Sequence, residues 1–290
     1  MSNSKLLLSI IIPVYNRQQG LDDLINALGE SENIGSIKHL VEIIVVDDAS
    51  IPSIREIKSD FQISYYRLDV NSGAPKAREL GFRRSKGEFV HFHDSDDAIA
   101  VNWLFNISYR LEEVPSIDIL MTARLDLENT GQYYKAQKYF HKKILQVGKI
   151  KSRLVYRNCM GPLGGVTFSR RVLRKIEFKG FLSCQDWQMY LHAIEYSHVL
   201  YSLPDTLFYF NKMGDDRISH NPRKKIIGHL QLAKLTAPKS VFKKNIRLFY
   251  LYTCREHIKN KGGLILAFYN KNHFKILVTY IVVSIYWRLT

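Results

Sequence analysis

Two apolar periods alternate through the first third of the chain. Residues 6–13 form a short β-branched run uninterrupted by charge, and residues 41–46 a second strand-like run that ends in Asp47-Asp48. Such runs suit buried strands of a parallel sheet. Between them Leu21, Leu24, Ile25 and Leu28 recur at the spacing of one helical face. The pattern then predicts a short helix over 54–61, a third strand over 63–68, a helix over 74–85 and a fourth strand over 89–92. Strand and helix alternating at this spacing imply an α/β fold, a mostly parallel sheet with flanking helices on both faces. Ligands of such sheets bind beyond the carboxyl ends of the strands. Those ends carry Tyr15-Asn16, Asp47-Asp48, Asn71-Ser72-Gly73 and Asp94-Ser95-Asp96-Asp97.

The rest of the chain reads differently. Residues 100–210 mix helices with short strands around Gly161-Pro162-Leu163-Gly164-Gly165. From Arg223 onward 14 Lys and Arg face the single acid Glu256, a net +13, which leaves +2 for the first 222 residues out of the total +15. The division expected is therefore a catalytic domain over 1–222 and a basic helical C-terminal extension over 223–290. That extension ends in an apolar run, 276–287, well short of the roughly 20 residues that span a bilayer. Composition, with 46% hydrophobic and 24% charged residues, is that of a folded protein. Cys159, Cys184 and Cys254 are odd in number and widely spaced. They fit neither a disulfide framework nor a structural zinc site, and a reducing, cytoplasmic setting is expected. The apolar run near the N-terminus lacks the marks of a secretory signal, being broken by Pro13 and followed by no small-residue cleavage pattern.

Three groups of residues point to chemistry. Asp94-Ser95-Asp96-Asp97 places three carboxylates within four positions, an arrangement that a divalent cation or solvent must screen. Carboxylate oxygens suit Mg²⁺ or Mn²⁺, held by one or two protein carboxylates and by phosphate oxygens. A solvated acidic turn is the plain alternative, and the position at a strand's carboxyl end favours the site. His91 and His93 share a strand face opposite Asp94 and read as packing residues. Asp47-Asp48 could accept from a ribose hydroxyl or a base N–H, or could cap the next helix. In Gln185-Asp186-Trp187, apolar positions 187, 190, 191 and 194 predict a helix starting near Asp186. That aspartate is either a cap or a general base.

Taken together, Ser9-Ile10-Ile11-Ile12-Pro13-Val14-Tyr15-Asn16, Glu42-Ile43-Ile44-Val45-Val46-Asp47-Asp48-Ala49-Ser50, Asn71-Ser72-Gly73 with Ala77-Arg78, and Asp94-Ser95-Asp96-Asp97 resemble the motifs of glycosyltransferase family 2. These are inverting enzymes of the GT-A fold, and the resemblance covers about residues 6–210. It implies that Pro13, Tyr15 and Asn16 line a nucleotide pocket, with Asp48 on the base and Arg78 near the nucleotide. It further implies Asp94 near the ribose, Asp96 on a Mn²⁺ or Mg²⁺ ion and Asp186 as catalytic base. Gln185, Glu79 and Ala49 depart from the residues usual at their places.

The implied partners are a nucleotide-sugar donor, probed first as UDP-sugar, and a glycan or lipid-linked acceptor. A sugar-nucleotide pyrophosphorylase would want a Gly-rich, basic loop after the first strand, where this chain has Pro13-Val14-Tyr15-Asn16-Arg17. A non-catalytic nucleotide-sugar-binding protein of the same fold would lack the Asp94/Asp96 pair or Asp186. Nucleic acid is not expected: the tail alternates cations with apolar residues, as in Phe274-Lys275-Ile276-Leu277. That pattern fits a helix on the anionic inner face of the cell membrane, and the competing reading packs the same helix on protein. Arg217 and His220 are further candidates for reaching the phosphates.

Overall fold

The computed structural model describes residues 6–127, 144–155, 157–181 and 183–211, with isolated positions 224, 227, 228, 231, 232 and 235. The chain divides into two compact units, Met1–Gly180 with Met189–Met213, and Phe181–Gln188 with Gly214–Thr290. Arg217, His220 and nearly all of the basic extension lie outside the described residues.

In the first unit the chain runs β1 (Leu8–Val14), α1 (Gln18–Gly29), the helical turn α2 (Ile34–Ile37), β2 (Val41–Asp47), β3 (Gln62–Arg67), α3 (Ala74–Arg84) and β4 (Phe89–Phe92). It continues through β5 (Ala98–Ile99), α4 (Trp103–Glu113), β6 (Ile119–Leu127), β7 (Ile144–Leu145), α5 (Val147–Leu154), β8 (Val166–Ser169), α6 (Arg170–Leu173), α7 (Gln185–Ala193) and β9 (Leu200–Asn211). Of these elements α7 is divided, with Gln185–Gln188 in the second unit and the remainder in the first.

Among the described residues nine strands form one sheet, ordered β3-β2-β1-β4-β8-β6-β9-β5, with β7 also on β9. The strands β3, β2, β1 and β4 are parallel, β8 runs antiparallel to both of its neighbours, and β6 and β9 are parallel again. The α/β class and its flanking helices therefore stand as the periodicity implies.

Alternation along β1 and β2 explains why both faces are covered. Leu8, Ile10, Ile12, Val41, Ile43 and Val45 join the cluster that holds Leu21, Leu24, Ile25 and Leu28 of α1 and Trp103, Leu104, Ile107 and Leu111 of α4. Ile11 and Val46, on the opposite face, meet α3 at Gly81, where a Cβ would lie 2.4 Å from Ile11 Cγ2. Each of the buried leucines contributes about 1.5–3 kcal/mol, so α1 is held to the sheet by its one apolar stripe. Asp118, fully buried, ties the far side together. It accepts from the backbone N–H groups of His198 (2.7 Å) and Val199 (3.1 Å) and pairs with Arg171.

One expected element is absent. Residues 54–61 are not helical. Their backbone donors are taken by distant side chains: Ile54 N–H by Asp47 Oδ2, Arg55 N–H by Gln18 Oε1 at 2.7 Å and Ile57 N–H by the Tyr65 hydroxyl oxygen at 2.8 Å. A helix over 54–61 would leave these same N–H groups without an internal acceptor; the three side chains instead tie the non-helical segment to β2, α1 and β3.

Candidate active site

The carboxyl ends of β1 and β2 are joined by side-chain staples. Asn16 and Ala49 both take left-handed backbone angles, φ 51° and 62°. Asn16 tolerates this readily. Its backbone N–H donates to Ser50 Oγ at 2.9 Å, and its Oδ1 accepts from Ile51 N–H at 2.8 Å. Asp47 is 5% exposed and faces its own loop, accepting from Ser50 N–H at 2.8 Å and pairing with Arg67. Burial pushes the Asp47 carboxyl up, but the hydrogen bonds from Ser50 and Ile54 and the Arg67 guanidinium outweigh it and hold it below its ordinary value. Of the two adjacent acids, Asp47 therefore organises the loop.

Asp48 turns the other way. Its two oxygens accept from the backbone N–H groups of Ser72 (2.7 Å) and Gly73 (2.8 Å). Gly73 sits at φ 82°, a conformation that glycine adopts without strain, just before α3. An ionised carboxylate offers about four lone-pair positions, so each oxygen of Asp48, a residue only 3% exposed, keeps a lone pair that these bonds do not use. Pro13 lies within β1 opposite Val46, and Tyr15, beyond the strand, is 46% exposed. The structure thus gathers Pro13, Tyr15, Asn16, Asp48 and the Ser72-Gly73 turn at one edge of the sheet.

The acidic run after β4 separates into unlike members. Asp94 pairs with Arg78 of α3 at 2.6 Å, and Asp96 pairs with Arg17, the residue preceding α1, at 2.5 Å. Asp97 is 4% exposed and accepts the Asn211 backbone N–H at 3.0 Å. Asp94 and Asp96 keep side-chain exposures of 37% and 22%. Two partly exposed carboxylates, each balanced by a guanidinium, offer the oxygen donors from which Mg²⁺ or Mn²⁺ shared with phosphate is held. Among the described residues no group of three or more His, Cys, Asp or Glu could enclose an ion. His91 and His93 lie beneath, 0% and 1% exposed. His91 Nδ1 is 3.0 Å from Thr167 Oγ1 and its Nε2 3.2 Å from His93 Nδ1. Burial lowers His91 well below the usual imidazole value and takes His93 down to about 4.

Asp186 stands in the first turn of α7. Its Oδ1 accepts from Trp187 N–H at 2.7 Å, while Gln185 Nε2 donates to the Phe181 carbonyl at 2.9 Å. An acid among the unpaired N–H groups of a helix's first turn is favoured as the carboxylate. Cys184, at φ 60°, precedes it.

A family model for glycosyl transferase family 2 matches residues 9–177, more than half of the chain. The chain belongs to this family. The matched stretch contains every candidate of the sheet edge and stops short of Asp186. Poly(ribitol-phosphate) beta-N-acetylglucosaminyltransferase TarS of Staphylococcus aureus is 29% identical over 153 residues, 51% of this chain and 26% of TarS. The glycosyltransferase AglE of Haloferax volcanii is 30% identical over 109 residues, 36% of this chain and 35% of AglE. The chain thus spans about a quarter to a third of the length of these two relatives. A crystal structure of S. aureus TarS 1-349 with UDP-GlcNAc superposes with a TM-score of 0.65 at 21% identity, covering 84% of this chain and 71% of that one. That likeness establishes the GT-A fold. Within the family frame the residues that pattern reading missed are Arg17 and Ser50. Both are polar residues of the loops after β1 and β2, and only the tertiary contacts distinguish them from ordinary surface positions.

Proposed function

We propose that this glycosyltransferase family 2 chain moves a sugar from a UDP-sugar to an acceptor hydroxyl in cell-wall polysaccharide assembly, with inversion at the anomeric carbon. One observation carries the reading. Of the three acids after β4, Asp94 and Asp96 remain partly exposed and pair with Arg78 and Arg17, and the third, Asp97, is buried in the fold. Partly exposed carboxylates at a strand end support a divalent ion shared with a diphosphate. UDP is favoured because Asp48 retains acceptor capacity for an imide N–H, and because TarS is described in complex with UDP-GlcNAc.

Tyr15 supplies an aromatic ring for the base, and Asp48 an acceptor for its N3–H. Asp94 is oriented by Arg78 toward the ribose. Asp96 would hold Mn²⁺ or Mg²⁺, which offsets charge on the departing diphosphate. Asp186 takes the proton of the acceptor hydroxyl as its oxygen bonds to the anomeric carbon. The bond from that carbon to the diphosphate oxygen breaks on the opposite face, the electron pair leaves with UDP, and no covalent sugar–enzyme intermediate forms.

The test is a product-release screen of UDP-, GDP- and dTDP-sugars with Mn²⁺ and polyol-phosphate or lipid-linked acceptors. UDP release that depends on acceptor and is lost in Asp96→Ala supports the reading. Release from GDP- or dTDP-sugars alone would overturn the donor class, and release from none would overturn the activity.

A further inference from the structure

The two guanidinium–carboxylate pairs of the acidic run differ in a way that the transfer reaction does not by itself explain. Arg78, partner of Asp94, has a side chain 6% exposed within the packed face of α3. It is a fixed counter-ion. Arg17, partner of Asp96, has a side chain 42% exposed. Its main chain is anchored, since its carbonyl accepts the Leu21 N–H at 3.2 Å as the first turn of α1 closes. One turn on, Gly20 is pressed against the acidic loop so closely that a Cβ would lie 2.3 Å from the Ser95 carbonyl oxygen. Helix start and acidic loop therefore approach closely at Gly20 and Ser95, and the long Arg17 side chain is the exposed part.

We infer that Arg17 is an exchangeable counter-ion, which neutralises Asp96 until a divalent cation arrives and then turns to the donor's diphosphate. This rests on the reading of Asp96 as the metal-binding carboxylate. A guanidinium 2.5 Å from Asp96 Oδ2 stands where a divalent cation would approach that oxygen, and two cations held at one carboxylate repel each other. That repulsion favours release of Arg17 from Asp96 when the divalent cation binds, and its tethered backbone keeps the released guanidinium beside the same loop. The anion brought there with the cation is a diphosphate, which a guanidinium matches with paired N–H donors. Arg17 is in this account a binding and positioning residue. It disfavours the cation alone and favours the cation together with the nucleotide, so that the two load as one.

The consequence is a pair of effects of opposite sign, readable without turnover. In calorimetric titrations of the full chain, Arg17→Gln should bind Mn²⁺ alone about two- to fivefold more tightly than the parent, the range of a half-exposed ion pair removed. At saturating Mn²⁺ the same variant should bind UDP about tenfold more weakly, through loss of a charged hydrogen bond. A structural role for Arg17 would weaken both, and thermal melting of the variant checks that the fold is intact. Asp96→Asn separates this inference from the reading beneath it. If Asp96→Asn abolishes Mn²⁺ binding and Arg17→Gln fails to tighten it, the exchange is wrong and the metal assignment stands. If Asp96→Asn binds Mn²⁺ as the parent does, both fall.

Discussion

Asp97 Oδ1 accepts the backbone N–H of Asn211 across 3.0 Å, joining the acidic loop after β4 to the end of β9, 114 residues away in sequence. The bond assigns the third acid of Asp94-Ser95-Asp96-Asp97 to the scaffold. Asp97→Ala should therefore lower unfolding free energy by about 1–3 kcal/mol, the range for a part-buried donor deprived of a charged acceptor. Asp96→Ala, at the exposed edge, should change stability by less than about 0.5 kcal/mol. Urea unfolding of the two variants, compared at one pH, decides the assignment. Equal losses would contradict it.

Ala49 holds a left-handed conformation, φ 62°, beside Asp48. A β-carbon there costs about 1–2 kcal/mol, partly offset by the extra unfolded-state freedom that glycine brings. Ala49→Gly should raise unfolding free energy by about 0.5–1 kcal/mol. Ala49→Val should lower it, because a β-branched residue fits that region worst. A shift of the urea midpoint in the wrong direction for either variant refutes the strain.

The buried histidines make stability depend on pH. Burial depresses His91 well below, and His93 to about 4 from, the ordinary 6.5. Above pH 6.5 both are neutral whether folded or unfolded, and neither alters stability. Below it the unfolded chain takes up protons that the folded chain refuses, so stability falls as pH drops toward 4. The slope is at most about 1.4 kcal/mol per pH unit for each histidine. His91→Gln should reduce the loss between pH 7 and pH 5 by about 1–2 kcal/mol. An unchanged loss would show that His91 titrates normally.

Asp186→Asn preserves shape in the first turn of α7 and removes basicity. Donor binding should persist while transfer falls by about 10²–10⁴-fold, the usual contribution of a general base. Stopped-assay turnover alongside UDP calorimetry separates the two quantities. Near-parent turnover would make Asp186 a helix-terminus residue only.

The basic extension, +13 over residues 223–290, should bring the protein to anionic vesicles at low salt and release it as ionic strength rises. Sedimentation with anionic and neutral liposomes, with and without truncation after Pro222, measures this. Retention in the supernatant at low salt would leave the extension as a protein-packing element.

Local pattern determined much of this molecule. The charge-free β-branched run at the N-terminus had to be a buried strand, and Leu21, Leu24, Ile25 and Leu28 had to form one stripe, because period and burial are properties of adjacent residues. The positions of Asp48, Asp94 and Asp96 at strand ends follow from the same alternation, since parallel strands bring their carboxyl ends to one edge. What the pattern misjudged was decided by contacts between distant residues. Residues 54–61 have helical spacing, yet the segment is non-helical and is tied by the N–H groups of Ile54, Arg55 and Ile57 to Asp47, Gln18 and Tyr65. Asp47 and Asp48 are adjacent and chemically identical, and a strand sends successive side chains to opposite sides, so one meets Ser50 and Arg67 and the other Ser72 and Gly73. Arg17, Arg78 and Asn211 divide the three carboxylates after β4 among different tasks. Sequence fixes which groups are available, and the partner that each one meets depends on which strand or helix the fold sets beside it.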